Sequence, residues 1–158
     1  MKKLILICGI LTVCFSCSNS STNSDVNDTT VYEEIKIIDY SADTSKKTLC
    51  DRIKEDVAAK RHTVIMFTAT WCGPCKAFKK TLRDKLMQKT FANTTLIMVD
   101  IDDDNAGEGI GLQNGVTAVP TFLKVNEKCD VLKKITSAAW EEDDAESIAP
   151  VMKEFIEK

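Results

Sequence analysis

Cys72 and Cys75 stand with two residues between them in the run Trp71-Cys72-Gly73-Pro74-Cys75-Lys76, a spacing at which two sulfurs can bond to each other or open to two thiols. Disulfide exchange is the chemistry available to such a pair. Its attacking species is a thiolate, whereas a free cysteine with a pKa of about 8.5 is mostly protonated at neutral pH. A helix N-terminus helps, because its unpaired backbone N–H groups and positive dipole end favour an anion. Thr63 to Thr68, β-branched and apolar, reads as a buried strand ahead of the pair. Behind it, Phe78, Leu82, Leu86 and Met87 recur at helical spacing between Lys76 and Lys89. The cysteines are therefore expected at a strand-to-helix junction, with Cys72 at the start of the helix.

The elements that must hold this junction alternate along the chain. Ile35 to Tyr40 reads as a first strand, and Lys47 to Lys60 as a helix with Leu49, Ile53 and Val57 on one face. Leu96 to Ile101 supplies a third strand after the cysteine-bearing unit. Such alternation requires a parallel sheet with helices on its faces. A loop and short helix are expected between Asp102 and Gly115. Thr121 to Val125 and Val131 to Thr136 can then pair as a hairpin, and Glu146 to Ile156 forms a last helix buried through Ile148, Val151, Met152, Phe155 and Ile156.

The 158 residues are 44% hydrophobic and carry a net charge of −3, enough for one small domain once the N-terminus is set aside. Residues 1–16 start with Lys2 and Lys3, run apolar from Leu4 to Phe15 and end on a small residue, the layout of a secretory signal. That run is too short to span a bilayer as a stable helix. It resembles a bacterial lipoprotein signal, which implies cleavage before Cys17 and a lipid on that cysteine; Ser16 before it and Ser18, Asn19 and Ser20 after it fit. Cys14 stands where that signal usually has leucine, and plain secretion into the periplasm is the alternative. Cys8 and Cys14 fall inside the leader and leave any disulfide framework. Residues 17–32 read as the anchor cysteine and a flexible polar tether, with an r.m.s. span on the order of 20 Å, and residues 33–158 as the folded domain. Ser18, in place of the aspartate associated with inner-membrane retention, favours the outer membrane. Losing Lys2 and Lys3 makes the chain more acidic still, which argues against a nucleic-acid partner.

The order βαβαβ then ββα, with the hexapeptide after the second strand, resembles the thioredoxin family over about residues 33–158. A second anchor is Gly115-Val116-Thr117-Ala118-Val119-Pro120-Thr121, which matches the family segment ending in a cis-proline that faces the cysteines. The resemblance implies an α/β thioredoxin fold, a central mixed sheet of about five strands flanked by about four helices. It also implies a protein-disulfide oxidoreductase that needs no cofactor and is expected to act as a monomer. Cys72 becomes the exposed attacking sulfur and Cys75 the shielded one that resolves the mixed disulfide. Gly73 and Pro74 constrain the loop, Trp71 shields one side of the disulfide, and Val119, before Pro120, contacts the substrate peptide. Many relatives bury an aspartate five residues before the tryptophan, paired with a lysine on the third strand. Met66 and Met98 hold those positions here, which removes the usual base behind Cys75 and implies slower resolution.

Gly-Pro between the cysteines is the dipeptide of reducing thioredoxins, so electron flow towards substrate disulfides is expected, fed by an electron-donating membrane protein. A disulfide-donating oxidase or isomerase is the alternative; a CxxC metallochaperone and a holdase-like binding module are further readings. Two thiolates fall short of the four ligands of a structural zinc site. Asp100, Asp102, Asp103 and Asp104 do not make a calcium loop, because Asn105 and Gly111 stand where glycine and a bidentate glutamate are needed. His62 reads as a solvated residue at a strand start. The acidic run Glu141 to Asp144 favours the N-terminus of the last helix, while Trp140 has no evident role. Cys50 and Cys129 fall at opposite ends of the expected sheet, so no bond between them is expected; Cys50 reads as a packing residue.

Overall fold

The computed structural model describes residues 34–40, 48–103 and 111–158. The signal peptide, Cys17, the tether and the boundaries at residues 16 and 32 lie outside these, as do Asp104 and Asn105.

β2 (His62–Thr68) and β3 (Thr94–Asp100) are buried along nearly their whole lengths, as the continuous apolar runs require of strands covered on both faces. They pair in parallel with Met66 opposite Met98. β1 (Lys36–Tyr40) joins β3 in parallel at one edge, while β4 (Thr121–Val125) runs antiparallel to β2 and β5 (Val131–Thr136) antiparallel to β4. The result is a five-stranded mixed sheet in the order β1-β3-β2-β4-β5, with the expected hairpin at its second edge.

Strand alternation divides the core in two. On one face Ile65, Phe67, Ile97, Val99 and Leu123 meet Ile53 of α1 (Leu49–Ala58). On the other, Val64, Met66, Leu96 and Phe122 meet Phe78 of α2 (Gly73–Thr81), Met87 of α3 (Lys85–Thr90) and Ile148, Met152 and Phe155 of α4 (Ala145–Glu157). Trp140 belongs to this second layer. Its ring stacks on Phe78 at 6.2 Å and meets Phe122 at 5.7 Å, and its indole N–H donates to Asp143 at 3.0 Å. Such aromatic contacts add about 0.5–1.5 kcal/mol each beyond burial, so Trp140 is a support for the underside of α2. Asp144, from the acidic run, caps α4 by accepting the Ser147 N–H at 2.8 Å. Lys124 Nζ donates to the Ile156 carbonyl at 2.7 Å, near the C-terminal end of α4, and burial followed by the nearby Lys133 holds its pKa below the usual lysine value.

Two expectations need correction. The single helix expected from Lys76 to Lys89 is broken between Thr81 and Lys85, because the Asp84 carboxylate accepts the Leu86 N–H at 2.7 Å and starts a new helix. Leu86, placed on the buried face by an unbroken helical period, is 42% exposed as a consequence.

Cys50 and Cys129, expected apart, are bonded to each other, with their Cα atoms 5.6 Å apart. The hairpin turn does not run straight off the end of the sheet. Register shifts between Lys124 and Val125, and Asn126 Oδ1 gathers the N–H groups of Lys128 and Asp130, both at 2.9 Å. Cys129 takes a left-handed φ of 68° and packs with Leu49 and Ile53 on the α1 face. The bond closes a sequence separation of 79 residues, so its loss frees a long stretch of the unfolded chain. The double variant Cys50→Ala/Cys129→Ala should lose about 2–4 kcal/mol in non-reducing denaturant unfolding; a midpoint equal to that of the parent protein would show that the bond constrains nothing.

Candidate active site

β2 delivers the chain to the redox pair at the C-terminal end of the sheet. Ile101 N donates to the Thr68 carbonyl at 2.9 Å and Cys72 N to that of Ala69 at 3.2 Å, a tight turn that ends on Cys72 as the N-cap of α2. Cys72 and Cys75 form a disulfide with Cα atoms 5.3 Å apart. The Cys72 sulfur accepts the Cys75 N–H at 3.1 Å, so one of the unpaired donors of the helix start is already aimed at the atom that would carry charge in the opened pair. Pro74 lies in the first turn of α2, where its missing N–H costs no hydrogen bond. A Cβ built on Gly73 would meet nothing within 4 Å among the described residues, so the outer side of the loop is open to them.

The family resemblance implies an exposed Cys72. In the disulfide form it is 3% exposed and Cys75 0%, so only a sliver of the pair, on the Cys72 side, reaches solvent. Both residues are buried in this form, and the expected exposure of Cys72 is not found, because it packs with Ala69 and Cys75 beneath the loop.

The second anchor comes to the same end of the sheet. Gly115 takes a φ of +63°, a conformation that suits glycine, and Lys134 Nζ donates to its carbonyl at 3.1 Å. The Val119–Pro120 peptide is cis, and the Thr121 hydroxyl donates to the Ala118 carbonyl at 2.6 Å just before β4 starts. Trp71, 66% exposed, forms the opposite wall of a shallow groove of about 470 Å³ that also touches Asp102, Leu112, Val116 and Val119.

Sequence reasoning places Asp102 only in a solvated acidic strand end. Its carboxylate accepts the Trp71 indole N–H at 3.1 Å and the Thr70 hydroxyl at 3.4 Å, while its own N–H donates to Asp100 at 3.0 Å. Nothing in the local sequence separates this aspartate from its neighbours. Asp56 escapes sequence reasoning as well: it is 2% exposed and accepts from Thr95 at 2.9 Å, Thr63 at 3.3 Å and Lys36 at 3.5 Å. It lies on the α1 face, while the face behind Cys75 holds Met66, fully buried, with Met98 packed beside it. His62 is exposed at the first position of β2, as expected. Among the described residues no three His, Cys, Asp or Glu side chains gather as metal ligands.

The family model described as Thioredoxin matches residues 43–154. Thioredoxin H5 of Arabidopsis thaliana is 29% identical over 92 residues, covering 58% of this chain and 73% of that protein. Thioredoxin Asp f 29 of Aspergillus fumigatus is 33% identical over 90 residues, or 53% and 76% of the two chains. Among solved structures, thioredoxin from Trypanosoma brucei brucei superposes with a TM-score of 0.54 at 22% identity, over 80% of this chain and 95% of that one. A chain from a complex of ferredoxin:thioredoxin reductase and thioredoxin f2 gives 0.51 at 18%, over 76% and 94%. At such identities the likeness concerns the fold.

The Trp71–Asp102 bond is exposed and so adds little stability, but it fixes one wall of the groove. In Asp102→Ala the Trp71 indole N–H should exchange faster with solvent by NMR while global stability changes by about 1 kcal/mol or less. Unchanged exchange would mean that Asp102 does not hold the ring.

Proposed function

The chain belongs to the thioredoxin family of disulfide oxidoreductases, and from that premise we propose that it reduces protein disulfides in a bacterial periplasm, with Cys72 attacking and Cys75 resolving. The observation that carries this reading is the Cys72 sulfur at the N-terminus of α2, accepting a backbone N–H beside the open space at Gly73. Cys72 as a thiolate attacks a substrate disulfide and expels one substrate thiolate, giving a mixed disulfide. Cys75 then attacks Cys72, the second substrate thiolate leaves, and two electrons have passed from the dithiol to the substrate. Val119 and cis-Pro120 line the approach, and the groove beside Trp71 receives the substrate chain. Gly73-Pro74 favours the reducing direction.

The leader at residues 1–16 and Cys17 support an extracytoplasmic, lipid-anchored protein, with the outer membrane favoured. The Cys50–Cys129 disulfide supports the same reading, because a non-catalytic bond of this kind persists where the surroundings are oxidising. A reductant in such surroundings needs its own supply of electrons. The thioredoxin f2 complex pairs a thioredoxin with a reductase; for this chain the corresponding donor is proposed to be a membrane protein. The oxidising surroundings are also what favours the alternative direction, donation or isomerisation of disulfides.

With Met66 and Met98 in place of a buried ionic pair, resolution by Cys75 should be slower than in a thioredoxin that has the aspartate. Stopped-flow decay of the mixed disulfide tests this, and an equal rate would contradict it. Cys75→Ser should accumulate mixed disulfides with substrate proteins through Cys72, while Cys72→Ser should form none and fall to the uncatalysed rate of disulfide reduction. Mixed disulfides that persist in Cys72→Ser would reverse the two roles. Cys17→Ser should move the protein from the membrane to the soluble fraction; a parent protein that is already soluble would remove the anchor.

A further inference from the structure

Thr68 ends β2, four residues before Cys72. Alternation places its side chain on the face shared by Val64 and Met66, whose cluster includes Ala69, Cys72 and Cys75, and away from Ile65 and Phe67. In register it is level with Asp100 on β3, and the pairing of Phe67 with Thr121 puts Pro120 level with it on the other side. Thr68 is 3% exposed, and its hydroxyl has no hydrogen-bond partner among the described residues. A buried hydroxyl left unpaired is costly, and valine would fill the same shape without that cost.

In the disulfide form neither sulfur meets the hydroxyl in hydrogen-bonding geometry. Opening the disulfide frees the Cys75 sulfur and, once it is a thiolate, makes it a charged acceptor on this face. Met66 and Met98, in the row below, supply neither charge nor donor. The charged groups bordering the region are otherwise engaged or outside it: Asp100 accepts the Asp102 N–H, Asp102 holds Trp71 and Thr70, and Lys76 on α2 is exposed. We propose that Thr68 is a positioning residue for thiol-disulfide exchange, its hydroxyl donating a hydrogen bond to the Cys75 sulfur when that sulfur is a thiolate.

This rests on the reading of Cys72 and Cys75 as the exchanging pair and adds what stabilises the second sulfur. In the resolving step the Cys75 S–H gives up its proton and the Cys75–Cys72 bond forms. The bond from Cys72 to the substrate sulfur breaks, and the leaving substrate thiolate takes up a proton. Thr68 neither gains nor loses a proton; it holds charge on the Cys75 sulfur while that proton is in transit. The β-branched side chain, stiff at χ1, loses little freedom in doing so.

The test compares the purified parent protein with Thr68→Val and Thr68→Ser, reading the dithiol-disulfide equilibrium against a thiol buffer and the pH profile of mixed-disulfide resolution. Read above the pH at which Cys75 ionises in the reduced parent, loss of a hydrogen bond to a charged group should shift the equilibrium about tenfold towards the disulfide in Thr68→Val, equivalent to a potential about 30 mV more negative. Resolution at neutral pH should slow by a similar factor, with the gap closing as the pH rises and Cys75 ionises unaided. Thr68→Ser, which keeps the hydroxyl, should stay within about twofold of the parent in both readouts. The proposal is overturned if Thr68→Val matches the parent, or if Thr68→Ser departs as far as Thr68→Val. The oxidised Thr68→Val protein should melt no lower than the parent, since it loses an unpaired hydroxyl; a lower melting temperature would reveal an existing partner and also overturn the proposal. A parent protein that never exchanges its disulfide would instead overturn the functional reading on which this one rests.

Discussion

The contact between the Cys72 sulfur and the first turn of α2 is the interaction on which the remaining structure converges. A helix start offers donors and a positive dipole end, but it serves a thiolate only if its position is fixed against the strand that precedes it. β2, buried on both faces at the centre of the sheet, fixes the strand. Phe78 on the inner side of α2, packed against Phe122, Phe91 and Trp140, fixes the helix. Phe91, Phe122 and Trp140 thus lie far from the chemistry in sequence and pack through Phe78 against the helix that carries it.

Around this junction the protein departs from the usual electrostatic arrangement in two linked ways. The face behind Cys75 carries Met66 and Met98 where an aspartate and lysine are usual in the family, so among the described residues no desolvated ion pair has to be maintained there and no carboxylate stands ready to take the proton. The buried carboxylate that is present, Asp56, is tied to Thr63, Thr95 and Lys36 on the opposite face of the sheet. It holds α1 to the strands and has no path to the sulfurs. The Cys50–Cys129 bond fastens the other end of α1 to the β4–β5 turn on that same face. The α1 face of the sheet therefore adds polar and covalent links to its packing.

The cis-proline before β4 was implied by the family resemblance, and features governed by local pattern were legible in the residues themselves: the buried strands, the hairpin and the cysteine pair at a helix start. Each depends on residue type and period within a few positions. What was not legible depends on competition or curvature. Asp84 could have continued the helix or started another, and only its capping bond to Leu86 decides the matter. The meeting of Cys50 with Cys129 needs the bulge after Lys124 and the curl of the turn, neither of which strand order reveals. Asp102 and Trp140 take their roles from partners that no spacing rule connects to them. An active cysteine pair without its customary base, already visible in the sequence, persists in the structure as Met66 against Met98, and the unpaired hydroxyl of Thr68 lies one row above it.

The measurement that tests the central claim most directly is the equilibrium potential of the Cys72–Cys75 couple in the purified protein, titrated against a thiol-disulfide buffer with Cys50–Cys129 intact. A reductant built on this junction should lie near about −270 mV, whereas a value near about −120 mV would identify a disulfide donor and contradict electron flow from Cys72 and Cys75 towards substrate disulfides.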